Sequence, residues 1–444
     1  MATKKLRSTR TIGRTIAAAG LAVAMISLAS CSGNAAEQPT GDGISGELQI
    51  LVSSAAASDA AFAAVNDAFM KKYPNVDVVL SSVSNDNYPA TKSSRLTAGN
   101  VDVFVVKNLT EAPDYAADSV SDDVLLARSG GLLDLTGESF LSNYTPSVLD
   151  AQAIDGKQYA VPTGLSYSTG VYYNKQMFAD AGLDVPTTWS ELENVMTTLK
   201  SEGIAPFGIG GKDGWPGGLV MLGVAGGELP TTADKQDLAA ALWDQSATLD
   251  SGVPLTILQK TQEVFDNAQP NFAGAGYDEI PAGFAAGDFA MTPDGTWNSP
   301  TIAAAVGDAF EFGYFPLPGG DDAADNASLN GKIELQLGVA ASSKNQAAAL
   351  AWLDFFSDPA TYTQFVADSG FSPAQQGIEG TDFLNSIAQY TEEFQPAWEQ
   401  VWIANNDAGQ DAVYPFNYPA LAPLGTSTPQ EAADAAQSAW AAAF

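Results

Sequence analysis

The chain of 444 residues has no histidine, one cysteine, and only 19 lysines and arginines against 52 acids. Without an imidazole there can be no Ser-His-Asp triad, Cys-His dyad or HExxH zinc site, so any catalysis would have to run on carboxylates. The lone Cys31 forms neither an internal disulfide nor a thiolate metal cluster. A formal charge of −33 repels phosphate backbones and acidic lipid head groups, which argues against nucleic acid as a partner. Two familiar loops are also missing. Gly208-Ile-Gly-Gly-Lys-Asp213 lacks the Ser or Thr that follows the lysine of a phosphate loop, and Asp321, Asp322, Asp325 and Asn326 do not have EF-hand spacing. No cofactor is expected.

What is present is a large apolar fraction, 45%, in a chain long enough for two or more domains. Lys4, Lys5, Arg7, Arg10 and Arg14 precede an apolar run from Ile16 to Leu28 that ends in small residues. This is a targeting segment, too short and too unevenly flanked for a membrane span. Leu28-Ala29-Ser30-Cys31 resembles the bacterial lipobox. The resemblance implies that residues 1–30 are a lipoprotein signal peptide and that Cys31 is acylated. Residues 31–45, rich in Gly, Ser, Pro, Ala and Asn, are expected to be a tether, with folded structure starting near Glu47.

Leu48, Ile50 and Val52 alternate at period two, and Phe62, Val65, Phe69 and Tyr73 follow at helical spacing until Pro74. Val76, Val78 and Leu80 alternate again, a helix is expected over 88–98, and Val101–Val106 reads as a strand. Repeated β-α units imply a mostly parallel sheet with helices on both faces, and ligands then collect at the carboxyl ends of the strands. Those ends are Ser53-Ser54, Ser84-Asn85-Asp86 and Lys107-Asn108. Thr188 and Glu191 have capping-box spacing ahead of the stripe Leu192, Val195, Met196 and Leu199, with Gly203 as the stop. Further helices are expected over 235–249, 344–356 and 429–443, where Trp243, Trp352 and Trp440, like Trp189, serve the core.

The run Tyr159-Ala-Val-Pro-Thr-Gly-Leu-Ser-Tyr-Ser-Thr-Gly-Val-Tyr-Tyr-Asn-Lys-Gln-Met-Phe178, then Ala181-Gly-Leu and Pro186-Thr-Thr-Trp189, resembles the carbohydrate-type solute-binding proteins of ABC importers. Phe284–Met291 with Gly295-Thr-Trp297, Phe315-Pro-Leu-Pro318 and Leu337–Ala349 continue the resemblance in family order. It implies an α/β fold of the periplasmic-binding-protein type, two lobes joined by hinge strands, each with a central mixed sheet flanked by helices. The lobes would comprise residues 46–164 with 333–385 and residues 166–331 with 388–444. Hinges are expected near 164–166 and 331–334, and a third over 385–392. A sugar or oligosaccharide as ligand, an ABC permease as partner, a monomeric state and a lipid anchor on the extracytoplasmic face of the cell membrane are likewise implications of the resemblance.

A sugar ring has an apolar face and a hydroxyl rim, so its site needs aromatic plates and planar polar groups. The candidate plates are Trp215, Tyr167, Tyr277, Trp297 and Tyr418. Asp213, Asp86, Lys107, Asn108, Ser54 and Asn417 are the candidate rim, and Asp294 either joins it or only shapes a turn. A rival reading is a secreted glycoside hydrolase with a carboxylate pair such as Asp213 and Asp294.

Overall fold

The computed structural model describes residues 43–107, 109–413 and 415–444. The signal segment, Cys31, most of the tether and Asn108 lie outside the described residues. Twelve strands are described: β1 (Gly46–Ser53), β2 (Val76–Val83), β3 (Val103–Val106), β4 (Ala160–Val161), β5 (Gly164–Tyr167), β6 (Gly170–Asn174), β7 (Ala205–Phe207), β8 (Phe289–Pro293), β9 (Phe312–Pro316), β10 (Asn330–Glu334), β11 (Gln336–Val339) and β12 (Gln395–Pro396).

They form three mixed sheets. The first has the order β2-β1-β3-β11-β4, with β1 parallel to β2 and β3, and β11 antiparallel to both its neighbours. The second has the order β7-β8-β6-β9. A short third sheet, β12-β10-β5, pairs Gly331 with Tyr167 and Glu334 with Gly164.

Leu48, Ile50 and Val52 are fully buried, as their alternation predicts, but so is Leu51, because this strand is covered on both faces. The helix Ala56–Lys72 lays Phe62, Val65 and Phe69 against it. One apolar core draws its buried residues from Ile44 to Val161 and again from Leu337 to Ala374. Two further clusters draw theirs from between Tyr167 and Leu329 and between Leu384 and Trp440. Ile44 had been expected in the tether, yet it is only 6% exposed, so burial begins before the first strand.

Helix ends follow local chemistry. In the helix Trp189–Ser201, the Thr188 hydroxyl accepts from the Glu191 amide at 3.2 Å. The Glu191 carboxylate, however, reaches one residue further back, to the amide and hydroxyl of Thr187. A full reciprocal cap appears instead between Thr231 and Asp234, ahead of the helix Thr232–Trp243. The single helix expected over 235–249 ends at Trp243, and a second, Gly252–Asp266, follows.

The helix Trp215–Glu228 was not expected at all. Its Pro216 sits in the first turn, where no amide donor is needed, and its glycines admit neighbours rather than break it. A Cβ on Gly227 would lie 2.2 Å from the Asn326 Oδ1, and one on Gly223 would lie 2.6 Å from the Leu317 side chain.

Trp352 anchors the first core. It is fully buried, donates its indole N–H to Asn66 Oδ1 at 2.8 Å and stacks on Phe356. Trp352→Ala is expected to lower the free energy of unfolding by about 3–5 kcal/mol. Urea unfolding checks this, and a loss under about 1 kcal/mol would contradict the assigned role.

Candidate functional site

The cores face each other across a cavity of about 770 Å³ that the third sheet closes at its base. The carboxyl ends of β1, β2 and β3 bring Ser54, Asn85 and Lys107 to one wall. The start of the helix Trp215–Glu228, the turn Tyr277–Glu279 and the turn after β8 bring Trp215, Tyr277 and Trp297 to the other.

The three rings of that wall form one aromatic surface. The Trp215 and Tyr277 centroids are 4.5 Å apart, and those of Trp215 and Trp297 are 6.5 Å apart. Gly295 makes room for the Trp297 indole, since a Cβ there would come within 2.0 Å of the ring. Gly218 does the same for the ring of Tyr418, which also lines the cavity.

Asp213 lines the cavity and accepts the Tyr277 amide at 2.6 Å. The Lys107 amide is fixed by Asp123, which also takes the Lys92 ammonium. The Lys107 ammonium donates to Asn85 Oδ1 at 2.6 Å and lies 5.1 Å from the Tyr88 ring centre. Burial, and after it the nearby Lys332 ammonium, lowers its pKa to about 8. Lys332 pairs with Glu334 at 3.4 Å and sits 5.4 Å over the Trp297 ring. Burial alone would pull Lys332 down, but Glu334 and Glu399 outweigh it and raise the value.

Three candidates fall elsewhere. Tyr167 is only 5% exposed and does not line the cavity: the pairing of β5 with β10 draws it into the core, its amide donating to the Thr296 hydroxyl and its ring lying against Phe394. Asp86 stands exposed in the turn closed by Ser84 and Asn87, and it is Ser84 and Asn85 that line the cavity. Asn417 is buried in left-handed backbone and donates to the Ala432 carbonyl at 3.0 Å, so it caps packing around the last helix.

Asp294 is enclosed. Its Oδ1 accepts from the Gly295 amide at 2.7 Å and the Tyr277 hydroxyl at 3.1 Å, and its Oδ2 accepts from the Asn298 amide group at 2.6 Å. The same residue's carbonyl accepts the Tyr314 hydroxyl at 2.7 Å. The carboxyl therefore shapes the turn rather than the cavity wall.

The sequence model described as bacterial extracellular solute-binding protein matches residues 53–363. The chain belongs to that family. This solute-binding protein is similar to the multiple sugar-binding protein of Streptococcus mutans, at 25% identity over 312 residues, 70% of this chain and 71% of that one. It is also similar to the diacetylchitobiose binding protein DasA of Streptomyces coelicolor, at 28% identity over 361 residues and 76% of each chain. A solved structure of the SBP RafE in complex with raffinose has a TM-score of 0.73 at 22% identity and covers 89% of this chain and 99% of that chain, a likeness of fold.

Several lining residues of the solute-binding protein escaped the sequence reading. Lys332 and Glu334 flank Ile333 at period two on β10, a signal available in the expected hinge 331–334. Glu399 and Gln400 come from the four-residue helix Trp398–Val401, too short to leave a pattern.

Burial, which outweighs the donors from Asn298, Gly295 and Tyr277, pushes the Asp294 carboxyl up to about 7. In the unfolded chain it titrates at about 3.9. Between these values the folded chain holds a proton that the unfolded chain releases, so this contribution to stability is complete below about pH 4 and lost as the pH rises to about 7. The stability of the wild type relative to Asp294→Asn should therefore fall from pH 4 to 7.5 in denaturant unfolding. A gap that stays constant would contradict the burial argument.

Proposed function

We propose that this solute-binding protein captures a sugar or short oligosaccharide in the cleft and delivers it to the permease of an ABC importer. The observation that carries the reading is the aromatic surface of Trp215, Tyr277 and Trp297, set opposite the polar wall of Ser54, Asn85 and Lys107. That pairing matches the two sides of a sugar ring. The names of the relatives, a multiple sugar-binding protein and a diacetylchitobiose binding protein, support it.

On this reading, residues 46–164 with 333–385 and residues 166–331 with 388–444 move as the two lobes, and closure follows from tighter ligand binding in the closed form. Cys31 carries the lipid that holds the monomer at the extracytoplasmic face of the membrane. Among the described residues, no helix is long and apolar enough to cross a membrane.

The hydrolase alternative loses the pair it was given, because Asp294 does not line the cavity and both its oxygens are taken by internal donors. Trp297→Ala should weaken sugar binding by about 1–3 kcal/mol, roughly 5- to 150-fold, with the sugar recovered unchanged. Calorimetric titration with raffinose and diacetylchitobiose, followed by chromatography of the sugar, checks both parts. Sugar binding that survives the substitution intact would remove the aromatic surface from the account, and cleavage of the sugar would overturn it.

A further inference from the structure

The Trp297 ring meets the cavity, but what holds it lies behind the wall. Its indole Nε1 donates to the Tyr277 hydroxyl at 3.0 Å, and that hydroxyl lies 3.1 Å from Asp294 Oδ1. An indole N–H can only donate, so the Tyr277 oxygen accepts and its single proton must go onward. Asp294 Oδ1 is the acceptor in place. The relay therefore has one direction, from indole to phenol to carboxyl, and it fails without an acceptor at residue 294. The other oxygen, Oδ2, holds the amide of Asn298, which also lines the cavity.

We infer that Asp294 is a positioning residue for ligand binding: through Tyr277 it fixes the tilt of the Trp297 plate, and through Oδ2 it fixes which end of the Asn298 amide faces the cleft. The inference rests on the sugar-binding reading of this cleft. Asp294 is only 1% exposed and does not line the cavity, so it acts from behind the wall.

The ionisable groups around it are the phenols of Tyr277, Tyr172 on β6 and Tyr314 on β9, and the burial of each raises its pKa well above the ordinary range. Beyond them, Asp213 accepts the Tyr277 amide, Asp278 follows Tyr277, and the Lys332 ammonium stands over the far side of the Trp297 ring. No lysine or arginine among the described residues forms an ion pair with Asp294, so its charge is met only by neutral donors. The ionised carboxylate is a stronger acceptor than the neutral acid. The plate is therefore held more firmly as Asp294 ionises, near pH 7.

The test combines a ligand-free readout with a binding readout. Tryptophan fluorescence of the wild type, taken as the difference from Trp297→Phe, should shift between pH 6 and 8, and the shift should vanish in Asp294→Asn and in Tyr277→Phe. Binding of raffinose and diacetylchitobiose is measured in parallel. Asp294→Ala and Tyr277→Phe should each weaken it about three- to tenfold, the loss of one buried hydrogen bond. Asp294→Asn, which keeps an acceptor for Tyr277 but not for Asn298, should recover the part of that loss that runs through Tyr277. It should also abolish the pH dependence that tracks the Trp297 signal, leaving only that of Lys107 toward pH 8. If the wild type binds sugar and both disrupting variants bind it equally well, or if the Trp297 signal titrates identically in all variants, the positioning role is overturned. If no sugar binds the wild type while the fluorescence behaves as described, it is the sugar-binding reading that fails and the relay that stands.

Discussion

Two hydrophobic cores meet at a short shared sheet, and each builds its own side of the cavity. The chain passes between them along β5, along β10 and again between Ala374 and Leu384, and β5, β10 and β12 pair at the base of the cavity. Tyr115 against Trp243 and the bonds of Asn406 to Ser119 and Asp118 add a further contact. Nearly everything else follows from this constraint. Each core packs beneath its own loops, so the two walls of the cavity rest on different hydrophobic clusters. Lys332 and Glu334 stand on the shared sheet and line the cavity, so the connection also contributes charge to the cavity.

The two walls are built by different means. The wall of the first core uses strand ends, where the sheet delivers Ser54, Asn85 and Lys107 to one edge. The facing wall uses turns locked from behind. Gly295, Asp294 and Asn298 form a knot of hydrogen bonds whose purpose is geometric, since the carboxylate costs burial energy that only its donors offset. Its distance from solvent is what makes the knot precise in its demands on hydrogen-bond direction.

Much of the architecture was legible because periodicity reports burial. The strand at Leu48, the helix at Phe62 and the stripe from Leu192 to Leu199 stand where their spacing placed them. The helix Trp215–Glu228 was illegible because glycine and proline there serve close packing, and no local rule separates that use from a loop. At the site, Trp297, Trp215, Tyr277, Tyr418, Asp213, Lys107 and Ser54 line the cavity. Tyr167, Asp86 and Asn417 do not, because residue type shows what a side chain could do and not which face of a strand or turn carries it. Glu399 and Gln400 were missed for the converse reason, a position set by tertiary packing alone.

The central claim is that ligand sits between two bodies and draws them together. Small-angle X-ray scattering of the protein with and without a saturating sugar tests it most directly. The account predicts a smaller radius of gyration in the bound state, in proportion to the fraction bound. Saturated binding at an unchanged radius of gyration would contradict closure about the hinge sheet.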